Sequence, residues 1–128
     1  MTGFDERTGC SWEHLDFIEG RRAFESGDLT LALACFQRSA ATEPHFKTSF
    51  FLHKTLAALG RTEESFLALA EAYQLNPRHS QVAVAFAGEL ARRGEVERAL
   101  RILDDTLVRH SDYGPARELR KVLGAEPL

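Results

Sequence analysis

Apolar residues come in runs along the chain that are cut by glycine and proline, and no segment alternates apolar and polar residues for long. The stretch from Leu56 to Pro77, LAALGRTEESFLALAEAYQLNP, reads as two helical pieces parted by Gly60 and ended by Pro77. A similar phrase, FESGDLTLALACFQRSAATEP, stands about one period earlier. β-Branched residues are sparse, and Ala, Leu, Glu and Arg dominate, which favours helix. The pattern predicts an all-α chain.

The helices fall into pairs, and the pairs repeat. Gly27, Gly60 and Gly94 each end one helical run and precede another, at spacings of 33 and 34 residues, and Pro44 and Pro77 stand 33 apart. Self-similarity at this period predicts stacked helical hairpins, an α-solenoid of three repeats over about 12–44, 45–77 and 78–111. Glycine at each turn can take the left-handed conformation that ends a helix without steric cost. Asp28 and Thr62 suit helix N-caps, and Glu63, Glu64, Glu95 and Glu97 place negative charge in first turns. Ser11-Trp12-Glu13 reads as a cap and the first turn of the first helix, leaving residues 1–10 as a loose tail before one domain over 11–128. A last helix over about 113–123, opened by Pro115, carries the apolar stripe Ala116, Leu119, Leu123, with Arg117, Glu118, Arg120 and Lys121 toward water. Such a helix caps the apolar end of a stack.

The first copy carries Gly20, Ala32-x3-Phe36 and Pro44; the second Leu52, Leu56, Ser65-x3-Leu69 and Pro77; the third Phe86-Ala87-x2-Leu90, Ala99-x3-Leu103 and Ser111 in place of proline. Set against W-x2-L-G-x2-Y…A-x3-F…P, the chain resembles the tetratricopeptide repeat (TPR) family over roughly residues 12–111. It departs at the tryptophan position, which holds Asp16, Ser49 and Ala83, and at the small first-helix position, where His53 stands in the middle copy and would open that hairpin slightly. Small residues such as Gly20, Ala32, Ala87 and Ala99 allow close helix approach, while Phe36, Leu69 and Leu103 fill the space between hairpins.

The resemblance implies a concave groove, lined by the first helix of each pair, that binds extended or helical peptides. Counting back from the turn glycines places Phe17, Arg21, Phe24, Lys47, Phe50, Phe51, Lys54, Val84 and Arg92 there. At least two of the four phenylalanines are expected to be exposed, although a register change of one residue would turn groove into core. Arg21, Lys47, Lys54 and Arg92 against Glu25 give the groove a positive surplus on a chain of net charge −3. An apolar groove with a basic trim suits an amphipathic protein or peptide with acidic residues. The family's clamp for a chaperone's C-terminal carboxylate is missing, since the only asparagine is Asn76 and phenylalanines replace its polar positions. The expected function is a protein-binding scaffold or adaptor. Narrower alternatives are a small dedicated chaperone like those of type III secretion, which shields a client segment, and a homo-oligomeric module that associates through Trp12 and Leu15.

Composition removes other classes. Hydrophobic content of 44% and charged content of 27% are ordinary for a folded soluble domain, and a negative net charge argues against nucleic acid. The acidic N-terminus lacks the apolar core of a signal peptide, and no apolar run approaches a bilayer span, so no membrane insertion and a cytoplasmic setting are expected. Cys10 and Cys35 form no framework or zinc spacing, and the five histidines are dispersed, so no metal or cofactor is implied. Cys35, inside a packing helix, reads as a buried inert thiol. No phosphate-cradling loop and no catalytic constellation is visible, and the chain reads as a non-enzyme.

Overall fold

A computed structural model describes residues 15–124 as two compact units, divided between Leu75 and Asn76. The first contains α1 (Leu15–Ser26), α2 (Leu29–Thr42), α3 (Phe46–Ala58) and α4 (Thr62–Leu75). The second contains α5 (Ser80–Arg92), α6 (Val96–Arg109) and α7 (Gly114–Gly124). The described residues include no strand. The tail over 1–10 and the residues Ser11-Trp12-Glu13 lie outside the described residues.

In the first unit each helix packs on the next, α1 on α2, α2 on α3 and α3 on α4. Gly27 and Gly60 take φ of +90° and +81° at the hairpin turns, and the following amides reach back to close them: Asp28 N donates to Ala23 O at 2.8 Å and Arg61 N to Leu56 O at 2.9 Å. A side chain with a Cβ would be strained at either glycine. Asp28 caps α2, accepting from Leu31 N at 3.2 Å. Thr62, expected as a cap, is instead the first residue of α4. The carbonyl of Arg61 accepts from Ser65 N, and the Arg61 side chain is drawn to Glu64.

The core of this unit is aromatic. Phe17 and Phe36 are buried with Ala23 and Ala32, and Phe24, Phe51 and Leu52 pack against them half-buried. Gly20 makes this possible: a Cβ there would stand 2.8 Å from the Phe36 ring, so only glycine lets α1 lie this close to α2. His53 does not force its hairpin open. Its partner position on α4 holds the small residue, Ser65, whose hydroxyl donates to His53 O at 2.9 Å and lies 2.9 Å from His53 Nδ1.

In the second unit α5 packs on α6, and α7 packs on both. Gly94 (φ +90°) makes the turn, with Glu95 N donating to Leu90 O at 2.8 Å. The core is aliphatic and alanine-rich, built on Val82, Ala87, Leu90, Ala99, Leu103 and Ala116, with Phe86 as its ring. Ala116 is buried and Leu119 reaches Gly88, where a Cβ would meet it at an ordinary 3.8 Å. Arg120, read from the sequence as facing water, is tied to Asp104 of α6 at 2.7 Å.

Candidate functional site

The first helices of the hairpins carry the residues singled out by the sequence, and the structure separates them into three groups. Phe17 needs correction. It is 1% exposed and packs on Phe36 (centroids 5.8 Å apart) and Phe51 (5.7 Å), so it belongs to the core and offers nothing to a partner. Its burial follows from Gly20: once α1 sits against Phe36, Phe51 of α3 meets the Phe17 ring edge-on.

A second group forms one continuous strip across α1 and α3. Phe24 meets Phe51 edge-on at 5.7 Å, and Phe51 stacks on Phe36 at 5.3 Å below. Lys54 stands one helical turn beyond Phe50, and its Nζ lies 4.6 Å from the Phe50 centroid and 5.0 Å from that of Phe51. On its other side Phe50 stacks on the His53 ring at 5.8 Å, nearly parallel. Phe24, Phe50, Phe51 and Lys54 are all half-buried, each showing part of its surface. Arg21 shares the α1 stripe with Phe24 and is exposed, with only a loose 4.0 Å approach to Glu25. An ammonium over ring faces is held electrostatically with its stem packed on carbon, so Lys54 presents its charge from a fixed place.

Lys47, Val84 and Arg92 make up the third group. Lys47 is exposed in the first turn of α3, where its amide donates to the His45 ring. Val84 and Arg92 sit on α5 in the second unit; Val84 is half-buried, and Arg92 is exposed and paired with Glu89. Of the proposed self-association pair, Leu15 is exposed and Trp12 is outside the described residues.

Sequence reasoning missed the exposed apolar residues of the other helices, Leu67 on α4 and Val108 and Val122 near the end of the second unit. The signal was present: Leu67 lies opposite the inward Ser65, Leu69 and Ala72 on the α4 wheel. Cys35 is fully buried, and burial pushes its thiol above the ordinary range, which suits a packing residue rather than a nucleophile. Among the described residues no group of His, Cys, Asp and Glu could hold a metal ion, and no helix is long and apolar enough to cross a membrane.

No family model matches the chain, and no curated protein matches it. Among solved structures, the chain is similar to MamA from AMB-1, a TPR-repeat protein, with a TM-score of 0.60 at 24% identity over 88% of this chain. The match spans 59% of the MamA chain. Together with consecutive helical hairpins turned on positive-φ glycines, this likeness places the chain in the all-α, TPR-like α-solenoid fold class.

Proposed function

We propose that the chain is a protein-binding module of the scaffold or adaptor type, and that the α1–α3 strip holds a partner segment combining apolar and acidic residues. The observation that carries this reading is Lys54. Its ammonium rests on two phenylalanine rings and makes no ion pair among the described residues, beside rings whose outer surfaces are not covered. A partner carboxylate would gain a charge already in place, and a neighbouring leucine or phenylalanine would gain Phe50 and Phe24 as anchors. The TPR-like fold supports a protein-interaction role in general. We read the module as non-catalytic and cytoplasmic. A dedicated chaperone is a narrower form of the same reading, since shielding a client segment would use the same rings.

The test is a peptide array of amphipathic 15-residue helices carrying Leu or Phe anchors, each made with Glu or with Gln at the flanking positions. Glu peptides are expected to bind the wild type with micromolar affinity, and Lys54→Met and Phe50→Ala each to weaken it about tenfold, the size expected for loss of a central anchor. Equal binding of Glu and Gln peptides, or variants that bind like the wild type, would overturn the reading.

A further inference from the structure

The second unit carries a surface of its own along α7. An open cleft of about 750 Å³ is lined by Leu107 of α6 and by Arg117, Glu118, Arg120 and Lys121 of α7. Arg120 at its edge is engaged by Asp104, while Arg117 and Lys121 are exposed and make no ion pair among the described residues. Val122 is 60% exposed beside them and Val108 of α6 is 84% exposed.

The repeat explains why this face of α7 is a seat for a helix. The helices α3, α5 and α7 begin at Phe46, Ser80 and Gly114, 34 residues apart each time, so Ser49 and His53 of α3 correspond to Arg117 and Lys121 of α7. On α3 that face receives α4: Ser49 is buried and His53 bonds Ser65 of α4. On α7 the same face carries two positive charges, so a helix seated there must bring negative ones.

This chain carries such a helix. α4 has Glu63, Glu64 and Glu71 and no basic residue. Glu63, Leu67 and Glu71 recur every four residues on the side away from α3, and all three are exposed, Leu67 by 64%. We propose that α4 of a second copy docks in the α6–α7 cleft, with Leu67 against Leu107 and the flanking Glu63 and Glu71 meeting Arg117 and Lys121. The two surfaces differ, so the contact is head-to-tail and propagates beyond a dimer unless the ring closes. One helix in an open cleft would bury less than the roughly 800 Å² per partner of a standard-size interface, so a weak, concentration-dependent association is expected.

Sedimentation velocity of the full chain between 10 µM and 1 mM at low salt tests this directly. The weight-average mass is expected to rise with concentration past that of a dimer, and about 0.5 M NaCl to weaken association severalfold. Glu63→Lys/Glu71→Lys and Arg117→Glu/Lys121→Glu change exposed positions only, so each variant should keep the wild-type circular dichroism and remain monomeric alone. Mixing the two restores opposite charges across the contact and is expected to restore association. A wild type that stays monomeric throughout, variants that associate like the wild type, or a mixture that stays monomeric would each overturn the proposal.

Discussion

The two units turn their hairpins on the same glycine geometry but fill the space between helices differently. The first packs Phe17, Phe36 and Phe51 together and needs Gly20 to bring α1 close enough for that packing. The second closes over alanine, valine and leucine, and its α7 covers α5 and α6 with Ala116 and Leu119. Aromatic packing has a consequence that aliphatic packing lacks. Phe17 and Phe36 are covered, but Phe24, Phe50 and Phe51 keep partly open faces, and a lysine settles on two of them. The repeat supplies the frame; the size of the residues in it decides where aromatic faces stay partly open.

The largest effect that separates core from surface is expected between two phenylalanines at the same distance from their turn glycines. Phe17→Ala should destabilise the chain by about 3–5 kcal/mol and Phe50→Ala by about 1 kcal/mol or less, read from urea unfolding. Equal losses would erase the distinction between Phe17 as core and Phe50 as surface.

A smaller contrast, of opposite sign, lies between two glycines in helix interiors, Gly20 of α1 and Gly88 of α5. Gly20→Ala drives a methyl into a fully buried ring and should cost about 1–2 kcal/mol despite the gain in helix propensity. Gly88→Ala meets only Leu119 at contact distance and should stabilise by up to about 1 kcal/mol. A stabilising Gly20→Ala would show that α1 does not depend on close approach.

The smallest effect concerns the α4 entry in the first unit, where Arg61 pairs with Glu64. At the matching α6 entry of the second unit the charges are reversed, and Glu95 and Arg98 stand a looser 3.6 Å apart. Hydrogen bonding from Arg61, at 2.6 and 2.8 Å, holds the Glu64 carboxyl below the usual carboxylate range. A depressed folded value means that the pair's contribution is present above the ordinary glutamate range and is lost as pH falls through the lower folded value. Both side chains are exposed, so thermal stability should hardly move. Arg61→Ala should return the Glu64 titration, followed by NMR, to the ordinary range.

The frame of the molecule was legible because backbone rules are local. A glycine at φ near +90° and a proline after a helix announce themselves in the sequence, and Gly27, Gly60, Gly94, Pro44 and Pro77 stand where the hairpins turn and end. The fate of each phenylalanine was not legible. Phe17, Phe50 and Val84 occupy one repeat position, yet Phe17 is buried and the other two are half-buried. The deciding contact is the edge-on meeting of Phe51 with Phe17, a long-range consequence of Gly20 and Phe36 that counting within a repeat does not contain. His53 shows the same limit: its size conflicts with the family pattern until Ser65, twelve residues on, is seen to make room and bond to it.

The most direct test of the binding face is an NMR titration of the ¹⁵N-labelled chain with a Glu-flanked, Phe-anchored amphipathic 15-residue peptide. Saturable shifts centred on Arg21, Phe24, Phe50, Phe51 and Lys54, and reduced in Lys54→Met, are the predicted result. Shifts confined to α6 and α7, or none up to millimolar peptide, would contradict the assignment of the α1–α3 strip as the site.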